Sequence, residues 1–271
     1  MNSPDTPPKA RATPIPGQPT TYRGLHDMAG WWEWSEEVEL QRLNVYRPFI
    51  EPGDMCFDIG ANRGRKTFVM RKLEARVVAV EPLFAFGDEF VPEFSWRWGK
   101  DKGVMPVARA VTAERLIEIS VNKFIPYVSS IDKRWMTESA HAPKNGQPYY
   151  RPSSLIDRYV QGITLDGLIG IYGMPRFVKV DVEGAENSVM ATLSTPIPAF
   201  NMEFHQDWIP VAAMEHMDSL GPYQWTYALD FQGTFAMSGF TDREGLLAIL
   251  KRTLTEKGNG SWGDIYGRLL E

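Results

Sequence analysis

Two groups of residues in this 271-residue chain have the types and spacing to do chemistry. In FDIGANRGRKTF (57–68), Asp58, Gly60, Asn62 and Gly64 follow one another where an apolar run ends. Glu81 closes the next such run, RVVAVE. In RFVKVDVEGAENSVM (176–190), Lys179 sits inside a β-branched run and Asp181, Glu183 and Glu186 follow it. Glu203 and His205 end a third run, AFNMEFH (199–205). Burying unpaired charge is costly, so these residues need partners or a ligand.

The first group reads as a cofactor loop. Glycine lets backbone approach a ligand closely, but the pattern is not G-x-G-x-x-G. A carboxylate at Asp58 would repel a pyrophosphate resting on a helix N-terminus. It suits a ligand with cationic parts, such as S-adenosylmethionine, which carries an ammonium and a sulfonium centre and no phosphate. Glu81 lies 23 residues beyond Asp58, about the spacing at which an acid accepts hydrogen bonds from both ribose hydroxyls. The competing readings are a tight turn with a surface glutamate, and NAD binding.

These residues need a scaffold, and the flanking pattern supplies one. MCFDIG (55–60) and RVVAVE (76–81) read as buried strands around a helix at 65–74, a βαβ unit with a right-handed crossover. A helix capped by Ser35 precedes them, and Pro52-Gly53 ends that segment. Further strands are expected at 104–111, 116–122, 177–182 and 199–205. Helices are expected at 163–173, after 182, at 211–220, and at 241–257 capped by Thr241. Residues 224–231 and 233–240 read as a terminal antiparallel hairpin. Residues 123–162 read as an irregular excursion. Residues 1–22 carry six prolines and almost no large apolar side chain, the composition of a disordered tail. The whole is an α/β protein with one doubly wound, mostly parallel sheet over residues 23–271.

FDIGANRG, VVAVEP, ITLDGLIGIYG and VKVDVEGAE, in that order, resemble the FkbM family of class I methyltransferases. The likeness covers roughly residues 54–205. It implies a seven-stranded Rossmann-like sheet, S-adenosylmethionine as methyl donor, and O-methylation of a hydroxyl on a sugar, glycan or polyketide-type product. Arg65-Lys66 departs from the smaller or apolar residues usual after Gly64, and the aromatic segment 84–103 has no family counterpart. No Asp follows the strand near 104–108 to hold the adenine amino group; Phe84 is a candidate to stack on adenine or to fill core.

In a doubly wound sheet, ligands sit beyond the carboxyl ends of the strands. Strand 177–182 is expected beside 55–59, so Asp181 faces the cleft on the same side as Lys179. Lys179 then needs Asp58, Asp181 or Glu203 as partner. Asp181 is the first candidate base for the acceptor hydroxyl, with Glu183 and His205 behind it. Glu183 and Glu186 are otherwise expected to open the next helix. A metal is not expected; in a metal-assisted variant, Asp181, Glu203 and His205 hold Mg²⁺ or Mn²⁺. His26, His141 and His216 carry no motif. Nine Trp, ten Tyr and fourteen Phe are many for this length. Several fall in the excursion, with Ser129, Ser130 and Arg134, and suggest a substrate lid.

Net charge is −5, which argues against a long nucleic-acid track. No run of 18 apolar residues or signal core is present, and the single cysteine, Cys56, forms no intrachain disulfide. The expected setting is cytoplasmic, without membrane or nucleic-acid partners, with a small-molecule or glycan acceptor and an undefined oligomeric state. The alternatives are a nicotinamide-dependent oxidoreductase and a non-catalytic cofactor-binding module.

Overall fold

The computed structural model describes residues 36–122, 126–138, 155–229, 233–257 and 261–270. The expected tail at 1–22, Ser35, His26 and His141 lie outside them.

The chain opens with two short helices, α1 (Glu36–Gln41) and α2 (Leu43–Tyr46), where the sequence suggests one. Strand β1 (Met55–Ile59), helix α3 (Arg65–Lys72) and β2 (Arg76–Val80) form the expected βαβ unit. Two 3₁₀ turns within Pro82–Glu89, split at Phe86–Gly87, and α4 (Pro92–Trp98) fill the aromatic segment. The expected strand at 104–111 divides: β3 (Val104–Val107) joins the main sheet, and β4 (Ala110–Val111) leaves it for a smaller one. There β4 and β5 (Leu116–Asn122) flank β6 (Leu155–Ile163). The excursion is therefore not irregular throughout, because it contains β6 and a helical turn, α5 (Trp135–Glu138).

The second half alternates α6 (Leu165–Tyr172), β7 (Phe177–Val180), α7 (Glu186–Met190), β8 (Ala199–His205) and α8 (Val211–Leu220). It ends with β9 (Tyr223–Leu229), α9 (Arg243–Lys257) and β10 (Trp262–Leu269). Thr164 caps α6, its hydroxyl accepting from Gly167 N at 2.9 Å. At α9 the capping contact comes from Asp242, not Thr241: Asp242 Oδ1 accepts from Gly245 N at 2.7 Å.

The main sheet has seven strands in the order β3-β2-β1-β7-β8-β10-β9. The first five are parallel, and β10 runs antiparallel to both β8 and β9. This is the mostly parallel, Rossmann-like α/β sheet with a terminal antiparallel pair. The second strand of that pair is β10, reached through α9, and residues 233–240 form no strand. Register places Asp58 beside Lys179 and Lys179 beside Asn201 on adjacent strands. Glu203 lies opposite Asp264. Among the described residues no helix is long and apolar enough to cross a membrane.

Candidate active site

Strands β1, β2, β7 and β8 run parallel and finish at one edge of the sheet, and their alternation decides which side chains meet there. In β7, Val178 and Val180 enter the apolar core, while Phe177 and Lys179 face the other way. Lys179 is 1% exposed. Its Nζ donates to the Gly60 carbonyl at 2.8 Å and the Ile59 carbonyl at 3.2 Å. It also lies 3.3 Å from Asp58 Oδ1 and 3.4 Å from Asp181 Oδ2. Burial alone would lower its pKa, but Asp181 and Asp58 outweigh burial and hold the ammonium firmly protonated. Lys179 therefore staples the glycine loop onto β7 while bridging two carboxylates.

The two carboxylates differ. Asp58 is fully buried, and Thr67 of α3 donates to its Oδ2 at 2.6 Å. It orders Lys179 and reaches a ligand only through that contact. Asp181 keeps 25% of its side chain exposed at the cleft. Burial would raise it, but Lys179 and then Lys66 draw it below the usual carboxylate range, so it stands as a fixed anion.

Glu81 is the anchor of the opposite wall. Its Oε1 accepts from Leu83 N at 3.0 Å and its Oε2 from Asn62 N at 3.1 Å. Desolvation overrides both bonds and pushes its pKa up to about 7. Asn62 holds a left-handed φ of 49°, and its Oδ1 is buried with no hydrogen-bond partner among the described residues. The amides of Gly60 and Ala61 both donate to the Val80 carbonyl, and that of Gly64 donates to the Ala61 carbonyl. With Asn62 N bound to Glu81, these four amides offer no nest for a phosphate.

The glycines are explained by packing, not by a ligand. A Cβ on Gly60 would meet the Asp181 carbonyl oxygen at 1.9 Å, and one on Gly64 would meet the Trp98 indole nitrogen at 2.1 Å. Both residues also have left-handed φ. Phe84 packs on Phe94 with centroids 4.3 Å apart and joins an apolar cluster with Leu83 and Phe90, so it is part of the wall.

The acid-rich turn after β7 separates its members. Glu186 opens α7 as expected: its Oε1 accepts from Val182 N at 3.0 Å and Gly184 N at 3.3 Å. Burial pushes it up to about 7. Glu183 does not open the helix. It sits before it with φ 54°, followed by Gly184 at φ 94°. Its carboxylate instead meets Glu203 and His205, with ligand atoms of all three within 4.8 Å of one another. His205 Nε2 is 3.2 Å from Glu203 Oε2. Three tryptophans wall this group. Trp135 of α5 is 4.8 Å from the His205 ring, Trp262 is 6.5 Å from it, and Trp208 donates to the Gly184 carbonyl at 2.9 Å. His216 lies elsewhere, against the Leu193 carbonyl.

Several contributors have no motif. Thr67, Asn201, Asp264 and the Glu39–Arg42–Arg65 group carry the polar layer behind the site. Asn201 Nδ2 donates to Asp264 Oδ1 at 2.8 Å, Arg42 Nη1 is 3.5 Å from Asp264 Oδ2, and Arg65 Nε is 2.9 Å from Glu39 Oε1. The unusual Arg65-Lys66 pair thus answers an acid on α1. The one legible signal was the alternation Asn201, Glu203, His205 along β8. A groove of about 360 Å³ beside Ala185 is lined by Thr112, Glu114, Ile117, Ile131, Lys133 and Ser188.

No protein-family model and no curated protein sequence matches the chain. Among solved structures, it is similar to a precorrin-6y C5,15-methyltransferase from Geobacter metallireducens. Identity is 10%, with 88% of this chain and 90% of that one covered, at a TM-score of 0.45. A SAM-dependent O-methyltransferase from Thermotoga maritima shares 9% identity over 90% of this chain and 71% of its own, at a TM-score of 0.39. An rRNA methylase from Streptococcus thermophilus shares 9% over 88% and 98%, at 0.41. At these values neither an activity nor an acceptor transfers to this chain.

Proposed function

We propose that the protein is an S-adenosylmethionine-dependent O-methyltransferase of the FkbM type, acting on a hydroxyl of a sugar, glycan or polyketide-type product. The observation that carries the reading is the arrangement of Glu81, Asn62 and the Lys179-held Asp181 around a glycine loop whose amides are already bonded. Such a cleft favours a ligand with cationic groups and a ribose over one with a pyrophosphate.

When bound, S-adenosylmethionine supplies an electrophilic methyl group on a sulfonium centre. Each Glu81 oxygen holds one amide and keeps lone-pair capacity for a ribose hydroxyl. Asn62 Oδ1 and the exposed part of Asp181 are acceptors suited to an ammonium group. Lys179 fixes the loop and Asp181 in one geometry, so the acceptor is oriented against a rigid wall, a large part of catalysis in displacement reactions. Asp181 receives the hydroxyl proton; Glu183, Glu203 and His205 lie on the acceptor side. Trp135 and Trp208 exclude water from that side and give an apolar surface for a ring.

Calorimetric titration with S-adenosylhomocysteine and, separately, NAD tests the reading. Micromolar binding of the first with no heat from the second is expected. Heat from NAD alone overturns it and favours the oxidoreductase.

A further inference from the structure

Glu183, Glu203 and His205 meet at the end of β8, with one ligand atom from each within 4.8 Å of the others. Glu203 and His205 are alternate residues of β8, so both side chains leave the same face at the cleft edge. Glu183 is brought over them by the left-handed turn after β7. Among the described residues its carboxylate takes no hydrogen bond or ion pair. Lys179 is already shared between Asp58 and Asp181. Two carboxylates therefore converge on one imidazole, against tryptophan walls that lower the local dielectric and sharpen their repulsion.

The spacing is close to that of ligands around one ion. Two cis ligands on an octahedral ion at about 2.1 Å are about 3 Å apart, and trans ligands about 4.2 Å. His205 Nε2 and Glu203 Oε2 are separated by 3.2 Å, and all three ligand atoms lie within 4.8 Å. We infer that Glu183, Glu203 and His205 bind one divalent cation of the Mn²⁺ class, and through it the oxygen of the acceptor hydroxyl. Carboxylates suit Mg²⁺ and Mn²⁺, while an imidazole favours the first-row transition ions, so the mixed set points to the latter. Asp181 remains outside this ligand set, because Lys179 holds it.

Three protein ligands leave coordination positions open. A hydroxyl oxygen bound there gives a lone pair to the cation and its O–H bond weakens. The proton passes to Asp181, and the bonding pair stays on oxygen as the nucleophile. This role rests on the methyltransferase reading; the cation site itself does not.

The test is electron paramagnetic resonance of Mn²⁺ added to the full chain after chelator treatment. One Mn²⁺ per chain is expected to leave the free-ion spectrum. Echo-envelope modulation of the unsubstituted protein should show one coordinated imidazole nitrogen. Glu203→Gln and His205→Ala should each weaken binding at least ~10-fold, the scale of lost metal-site contacts, while Glu118→Gln on the small sheet leaves it unchanged. No stoichiometric Mn²⁺, or bound Mn²⁺ without nitrogen coupling, overturns the site whether or not the variants fold. Turnover that survives full chelation overturns the activating role. S-adenosylhomocysteine titrated into metal-free protein reports separately on the methyl-donor reading.

Discussion

On one face of the seven-stranded sheet, Phe57, Ile59, Val178, Val180, Phe200, Met202 and Phe204 meet α6 to α9 in a continuous apolar core. On the other, Asp58, Lys179, Asn201 and Asp264 are just as buried, among Thr67, Glu39, Arg42, Tyr46 and Tyr266. The same strands build both, because each strand sends alternate side chains to opposite faces. The apolar face is stabilised by area removed from water and is indifferent to ligand. The polar face is held by paired charges, and its open edge carries the candidate site. Burying charge is tolerated only where pairing is complete, so the polar face should be brittle in a way the apolar face is not.

The largest expected contrast comes from Lys179→Met. Removing the cation leaves Asp58 buried without its ion-pair partner, and stability should fall by about 3–5 kcal/mol. The glycine loop loses its staple, so S-adenosylhomocysteine binding should be lost with it. Leu168→Ala, on the apolar face, should cost a similar ~2–5 kcal/mol through its cavity yet leave ligand affinity alone. Chemical denaturation and calorimetry on both variants check this; a Lys179→Met protein that binds normally would erase the distinction between the faces.

Asp181→Asn is expected to keep the fold and lower turnover by ~10²-fold or more, the usual scale for losing a positioned base. Turnover assays on the true acceptor, with cofactor binding measured alongside, give the answer. Near-normal turnover would reduce Asp181 to a structural partner of Lys179.

A smaller effect separates Glu81 by pH. Its carboxyl sits at about 7 in the free protein, through burial, with Lys179 pulling it down and Asp58 pushing it up. On the proposed reading ribose hydroxyls donate to the ionised form, so affinity should tighten as pH rises through 7. The dissociation constant should be ~10-fold weaker at pH 6 than at pH 8, one decade being 1.4 kcal/mol. The stability contribution has the opposite sign. A folded pKa raised above 4.5 favours the native state at low pH, and that contribution fades as pH rises through 7. Flat affinity across this window would place the ribose elsewhere.

The parts legible in the sequence were those where one rule dominates. The strands β1, β2, β7 and β8 announce themselves as apolar runs ending in acids, and their order follows from the βαβ crossover. Strand β10 did not, because WGDIYGRL breaks strand propensity with two glycines and an aspartate. Its reasons are tertiary: a Cβ on Gly263 would meet the Ala228 carbonyl oxygen at 2.2 Å, and one on Gly267 the Phe200 ring at 2.5 Å. Strand β6 was hidden because its exposed alternate positions, Asp157, Tyr159 and Gln161, belong to a small sheet with little apolar face. At the site, Lys179 and its acids were predictable from the cost of unpaired charge. Thr67, and the release of Glu183 from the helix toward Glu203 and His205, depend on contacts between elements distant in the chain.

On the proposed reading, the open edge of the polar face binds a methyl-donor cofactor through Glu81. Titrating S-adenosylhomocysteine at pH 8 into the protein and into Glu81→Ala tests it most directly. The predicted result is a micromolar dissociation constant, weakened at least ~10-fold by the loss of charge-assisted hydrogen bonds worth about 1.5–3 kcal/mol each. An unchanged constant in Glu81→Ala would contradict it.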